Sequence, residues 1–349
     1  GSKTTFQYLK MFLKKGYVVK FIGDNYLHEE PYTSTLQQMG IEVLYGQEYL
    51  TGIWDWLVKN GKDIHVAYLN RPHIATKYVD FIKEHTDIKM IYYGHDLHFM
   101  REFREYELTG DVKKRQESEY WKSIEFSLFH KVAVSYYPSY VEEEAIHAVD
   151  ETIPVKAITA YVYEEFLQNL NKDFAKREGL LFVGGFAHPP NADAVLWFAK
   201  EVFPKIREQI KVNFYIVGSK VTDEIKALEQ PGNGIIVKGF VSEEELADLY
   251  RNCRIVVVPL RYGAGVKGKV VEAIYNGAPI VTTSVGSEGI PDVEKVLLVK
   301  DQPDEFAETV VELYKDEKRL EDLAEKTQVY IREHFSIDAA WDVIKEDFE

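Results

Sequence analysis

Between residues 257 and 277 the chain runs VVPLRYGAGVKGKVVEAIYNG, which sets Gly263, Gly265 and Gly268 in one loop with Lys267 and Lys269, then Glu272. Glycines let backbone N–H groups come close to a ligand, and a helix N-terminus favours negative charge. Two ammonium groups on flexible stems add positive charge at the same place. The chemistry these residues suit is anion binding, with a diphosphate as the best fit. The same residues also suit a loop that needs glycine for its geometry and leaves its lysines in water. Two further polar groups stand where apolar runs end: Asn70, Arg71 and His73 after residues 64–69, and His95, Asp96 and His98 after residues 89–93. A histidine beside a carboxylate can serve as a general base. Arg71 and His73 suit a core or salt-bridge role equally well.

Alternating apolar runs and helical periodicities must position these groups. In the first half, the pattern predicts strands over 17–22, 41–44, 64–69, 89–93 and 131–135. Helices are expected over 52–60, 74–85, 117–129 and 138–147, with a short one over 35–39. Residues 150–178 lose this rhythm, hold Pro154 and a weak strand at 155–158, and are read as a linker. Alternation resumes with strands over 179–183, 212–217, 235–238, 255–259, 279–283 and 296–299. Helices are expected at 192–200 (continued by Pro204 and Ile206), 223–228, 243–251 with Ser242 as cap, 303–314, 319–334 and 336–348, with a turn at 286–290. Strand–helix alternation with short connections implies parallel sheets with helices on both faces, and in such sheets ligands sit beyond the carboxyl ends of the strands. The chain opens on a helix with Phe6, Leu9, Phe12 and Leu13 on one face, as an α/β unit lacking its first strand would.

The whole chain sets bounds on this reading. Its 349 residues suit two domains, and 46% hydrophobic content suits a sizeable core. A formal charge of −15 argues against a general nucleic-acid binder, whose footprint is basic. The single cysteine, Cys253, precedes the apolar run 255–258 and reads as a core thiol; it forms no internal disulfide. No apolar run is long enough to span a membrane and no signal peptide is visible, so the cytoplasm is the expected location. No G-x-G-x-x-G follows a strand with an acidic partner roughly 20 residues on, which argues against a nicotinamide-dependent dehydrogenase.

Four segments in the second half form an ordered set: LLFVGGFAHPPNADAVLWF (180–198), KGFVSEEELADLYRNCRIVVVPL (238–260), GAGVKGKVVEAIYNGAPIVTT (263–283) and SVGSEGI (284–290). They resemble the nucleotide-sugar domain of family-4-type retaining glycosyltransferases (glycosyl transferases group 1) with the GT-B fold. LNRPHIA (69–75) and YYGHDLHF (92–99) resemble a bacterial subgroup of that family, and the opening residues resemble its first glycine loop and helix without the first strand.

The resemblance implies two doubly wound, Rossmann-like domains facing across a cleft. Residues 1–155 would form the acceptor domain and 156–335 the donor domain, with 336–349 packing back on the first. Glu272 matches the second glutamate of the family's E-x7-E motif, which binds ribose hydroxyls, a task suited to a carboxylate acceptor. Ala264 stands where the first glutamate, the sugar contact, belongs, and Glu288 is a candidate replacement. The family's phosphate-clamping Arg and Lys after the first strand of this domain are absent from Gly184-Gly185-Phe186-Ala187-His188. Lys267 and Lys269, with N–H groups from Gly265 through Val266 to Gly268, would supply that charge. His188 suits either a phosphate contact or a structural turn. The base would dock at Gly239-Phe240 through main chain, which leaves UDP, GDP, ADP and dTDP unseparated.

On the acceptor side Asp96 and His98 match the subgroup's more characteristic positions, with Arg71, His73 and His95 beside them. Leaving-diphosphate stabilisation would be the main catalytic term. The implied activity is retaining sugar transfer from a nucleotide sugar to a glycan or glycolipid, as in bacterial polysaccharide biosynthesis. No cofactor or metal is implied, and peripheral membrane contact and membership of a larger protein are compatible with it. Two alternatives stay open: a non-catalytic nucleotide-binding domain of a glycan-assembly protein, and a GT-B sugar-nucleotide epimerase.

Overall fold

The computed structural model describes every residue except Gly1 and Ala264 and, of Ser2 and Leu108, the backbone alone. The chain divides into two compact units, the first Gly1–Val162 with Ala340–Glu349, the second Tyr163–Ala339. The boundaries thus fall at 162/163 and 339/340, against the expected 155/156 and 335/336.

Unit 1 holds β1 (Lys20–Ile22), β2 (Glu42–Leu44), β3 (Val66–Asn70), β4 (Lys89–Tyr93), β5 (Val134–Tyr137) and β6 (Val155–Ala157). The first two pair with each other, and the others form a parallel sheet in the order β3-β4-β5-β6. Helices Gln47–Asn60, Pro72–His85 and Val112–Phe129 close on it through Ile53, Leu57, Val79, Ile82, Leu128 and Phe129. The closing segment joins this unit through rings: Phe348 lies 5.1 Å from Phe12 and Trp341 lies 5.7 Å from Tyr17. Asp347 accepts from the Tyr136 hydroxyl at 2.6 Å and pairs with Lys156 at 2.7 Å.

Unit 2 holds β7 (Leu180–Val183), β8 (Phe214–Val217), β9 (Ile235–Gly239), β10 (Ile255–Val258), β11 (Ile280–Thr282) and β12 (Leu297–Val299). Every pairing is parallel, in the order β12-β11-β10-β7-β8-β9. Four consecutive apolar residues in β10 are buried, as expected of a strand covered on both faces. The chain leaves β7 in one direction toward β9 and returns to β10 on the other side. In a parallel sheet such a reversal marks a crevice at the carboxyl ends of the two flanking strands, here β7 and β10. The α/β class with two parallel-sheet units is the one the sequence implies.

Several elements depart from expectation. A whole helix, His98–Thr109, forms where none was expected, and the 117–129 helix starts five residues earlier, at Val112. Val134–Tyr137 replaces 131–135 as the strand. The helix at Pro189–Trp197 runs through a π-turn at Phe198–Val202 into Phe203–Gln209. Pro204 explains the turn, since its ring would clash with a carbonyl one turn back in a regular α-helix. The short helix Ser284–Ser287 occupies part of the expected turn.

The expected linker is mostly built into unit 2. Phe174 and Arg177 are buried, and the Arg177 guanidinium donates to the Cys253 and Tyr250 carbonyls at 2.9 and 3.0 Å. Burial lowers that guanidinium to about 10. Cys253 is buried, as a core thiol should be, and burial pushes it up to about 12.

Candidate functional site

The crevice of unit 2 gathers the loop after β7 and the loop after β10. Gly184 takes a bond from its own N–H to the Val217 carbonyl at 2.9 Å, and His188 and Asn191 open the Pro189 helix above it. Asn191 donates Nδ2 to the Gly185 carbonyl at 2.8 Å and offers Oδ1 to Lys269 Nζ. Lys269 also lies over the Phe182 ring, 4.7 Å from its centroid. A Cβ at Gly184 would stand 2.9 Å from Lys269 Nζ and 3.0 Å from the Asn191 amide, so both side chains close tightly over this glycine. Gly218, after β8, is equally constrained, since a Cβ there would collide with the Gly184 carbonyl oxygen.

Lys267 caps the Gly268–Tyr275 helix, donates Nζ to the Gly265 carbonyl and stands 3.5 Å from Glu288 Oε2. Burial, with the nearby Lys267 charge, lowers the Lys269 amine to about 7. Burial and then the same two lysines lower His188. The positive charges here thus work against protonation of Lys269 and His188, and an anion among them would favour it.

Gly239 reaches this neighbourhood through its carbonyl, which accepts from Gly218 N–H at 2.8 Å, and Phe240 beyond it is 82% exposed. Gly263 and Gly265 have φ of +130° and +73°, a conformation that favours glycine. Val266 lies between Gly265 and the helix start. Ala264 lies outside the described residues. Glu272 is half-buried in the Gly268 helix, and its charge reaches the buried Tyr250 hydroxyl, which burial chiefly raises.

In unit 1, β3 and β4 deliver the other set. Arg71 has φ +66° and ψ +135°, unusual for a side chain larger than glycine, and its N–H donates to the Tyr93 carbonyl at 3.3 Å. It precedes the Pro72–His85 helix and leaves Arg71 and His73 exposed at the end of the sheet. Burial, then the Arg71 charge, lowers His73. His95 is lowered to about 4, chiefly by burial and also by Arg71.

His98 opens the unexpected helix. Burial lowers it, but its bond to Glu125 and the charges of Asp96 and Glu125 outweigh that and raise it overall. Glu125, fully buried in the Val112–Phe129 helix, accepts the backbone N–H of His98 at 2.9 Å and of Phe99 at 3.1 Å, with His98 Nδ1 at 3.3 Å. Asp96 is paired with Arg101, which also pairs with Glu102 at 2.8 Å.

Residues 177–316 match the model of the family described as glycosyl transferases group 1. That span contains β7 to β12 and both loops of the crevice. Over 184 residues the chain is 29% identical to an uncharacterized 44.6 kDa protein in the cps region of Klebsiella pneumoniae, covering 50% of this chain and 45% of that one.

Among solved structures it resembles a glycosyltransferase from Rickettsia africae (TM-score 0.69, 10% identity, 99% of this chain and 93% of that one). It also resembles Alr3699/HepE of Anabaena, solved with UDP and glucose (TM-score 0.66, 13% identity, 99% and 95%). TarM is a third likeness (TM-score 0.64, 14% identity, 85% and 57%). The chain thus spans less than two thirds of the length of TarM and of the Klebsiella protein. At these identities the structural likenesses establish the fold, that of GT-B glycosyltransferases.

Within unit 2 the expected residues after β7 and β10 come together, with Glu288 beside them. Within unit 1 Arg71, His73, His95, Asp96 and His98 share one electrostatic neighbourhood. Reading the sequence missed Asn191, Phe182 and Glu125. Asn191 carries a weak signal, a polar side chain right after Pro189-Pro190 at a helix start. Glu125 carries none, being one glutamate in a helix rich in charge. Among the described residues, no helix is long and apolar enough to cross a membrane.

Proposed function

We propose that this chain is a glycosyltransferase that takes a sugar from a nucleotide-sugar donor, with unit 2 holding the donor. The observation that carries the reading is the meeting of Lys267, Lys269, Asn191 and His188 at the crevice of the sheet. Those groups, with N–H groups at the start of the Gly268 helix, suit a diphosphate, and Glu272 suits the ribose hydroxyls.

The reaction is retaining transfer. The acceptor hydroxyl attacks on the face the nucleotide leaves, and the departing diphosphate takes its proton. Lys267 and Lys269 stabilise the charge that develops on that diphosphate. In unit 1, Asp96 and His98 position the reacting groups, and Arg71, His73 and His95 meet the acceptor, a glycan or glycolipid. The Klebsiella relative's place in a cps region supports a polysaccharide setting.

Radiolabelled transfer with a panel of nucleotide sugars tests the reading. Incorporation into a glycan or glycolipid fraction, or donor hydrolysis in its absence, is the expected result. Tight nucleotide binding with neither outcome would favour a non-catalytic nucleotide-binding role, the reading that Ala264 at the sugar-contact position of the motif supports.

A further inference from the structure

Lys267 and Lys269 are two residues apart but are held differently. Lys269 is clamped between the Asn191 amide and the Phe182 ring. Lys267 leans on the Gly265 carbonyl and on Glu288 at 3.5 Å, a separation that leaves an ion pair without a well-formed hydrogen bond. Its side chain is only 9% exposed and that of Glu288 21%, so the pair is sheltered, yet each charge could leave the other without crossing a packed core.

The turn that bears Glu288 is anchored at its start by two threonine hydroxyls. Thr282 Oγ1 donates to the Val258 carbonyl at 2.8 Å, Thr283 Oγ1 donates to the Leu260 carbonyl, and Thr283 Oγ1 accepts from Gly286 N–H at 3.2 Å. A Cβ on Gly286 would sit 3.0 Å from the Val258 carbonyl oxygen, so this turn is pressed against the end of β10. Parallel pairing of β10 with β11 thus sets the start of this turn beside the loop that carries Lys267, and Glu288 meets the lysine there.

We propose that Lys267 is an exchangeable cation: an incoming donor diphosphate draws it from Glu288, and the vacated carboxylate then accepts hydrogen bonds from hydroxyls of the donor sugar. The inference rests on the donor reading of unit 2 given above. A diphosphate brings more negative charge than one carboxylate, and Lys267 is the cation of the pair that can move. Glu288 remains beside the diphosphate, where its charge opposes a bare nucleotide and is offset when sugar hydroxyls are present to donate to it. Glu288 thus favours the intact donor over the spent nucleotide, a specificity residue acting at product release as well as at binding.

The opposed signs give the test. Binding of UDP, GDP, ADP and dTDP to wild type and to Glu288→Gln is measured by calorimetry, followed by the nucleotide sugars of the best binder. The neutral amide is expected to tighten the nucleoside diphosphate about threefold to tenfold. It is also expected to weaken the intact nucleotide sugar relative to that diphosphate by at least about tenfold. Combining it with Lys267→Met should abolish the gain for the diphosphate, because no cation is left to be released. Should Glu288→Gln not fold, Glu288→Asp, which withdraws the carboxylate by one methylene, is expected to change the same ratio in the same direction. Unchanged or weaker diphosphate binding in folded Glu288→Gln, or an unchanged ratio in Glu288→Asp, overturns the exchange while leaving the donor reading intact. Failure of wild type to bind any of the four diphosphates overturns both.

Discussion

The two lysines beyond β10 rest on an amide oxygen, a carbonyl, an aromatic face and one carboxylate 3.5 Å away. Beyond β4, by contrast, His98 and Asp96 are each held by a full opposite charge, Glu125 and Arg101. Neutral partners satisfy Lys269 without cancelling its charge, so unit 2 keeps an attraction for anions there. Opposite charges lock geometry and cancel the field, so unit 1 presents oriented groups with little left over. The first arrangement suits capture of a charged ligand and the second suits placement of a reacting one.

The largest effect should come from removing the uncancelled charge. Lys269→Met is expected to weaken nucleoside diphosphate binding about 100-fold, the scale of a lost charge-assisted hydrogen bond in a sheltered site. The same change should raise the melting temperature. A lysine at about 7 in the folded chain binds fewer protons there than in the unfolded chain between that pH and its ordinary 10.5. Stability in wild type therefore rises with pH across this window, and the methionine variant loses that slope. Diphosphate binding in wild type should weaken as pH rises above about 7; equal affinity at pH 6 and pH 8.5 would count against an ammonium contact from Lys269.

A smaller effect should follow from breaking the locked pair in unit 1. Glu125→Gln leaves two helix N–H groups and His98 with a poorer acceptor, at a cost of about 2–4 kcal/mol in chemical denaturation. His98 is raised in the folded chain. Its pairing contributes fully below the unfolded value and fades as pH rises through the folded one. The gap between wild type and variant should thus be wider at pH 6 than at pH 8, and a pH-independent gap would assign Glu125 to capping alone.

The smallest effect concerns the strained residue beside that pair. Arg71→Gly releases a backbone conformation that costs roughly 1 kcal/mol and should stabilise the chain by about that much. In the transfer assay the same variant is expected to lose acceptor affinity with little change in donor binding.

What the sequence made legible follows the same division. The crevice of unit 2 is written in short-range terms: glycines, lysines and a helix start within a dozen residues, flanked by apolar runs that only a covered parallel strand explains. Ser242 was equally legible as a cap, and it accepts from Glu245 N–H at 3.1 Å. The arrangement around His98 is written in long-range terms. Helix His98–Thr109 begins with no cap in its own sequence, because the acceptor for its first N–H groups is Glu125, 27 residues beyond His98. Arg177 misled for a related reason. A charged residue in a run of charged residues suggests a linker, and only the Cys253 and Tyr250 carbonyls, more than 70 positions away, make it a core residue.

Unit 2 is one uninterrupted stretch, whereas unit 1 is assembled from residues that bracket it. During synthesis the partners of Phe12, Tyr17 and Tyr136 emerge only after the whole of unit 2 has been made. At about 5–20 residues per second that is a delay of roughly ten to forty seconds. Unit 2 can thus mature on the ribosome while its companion waits with an aromatic seam open, a window in which a chaperone has something to hold.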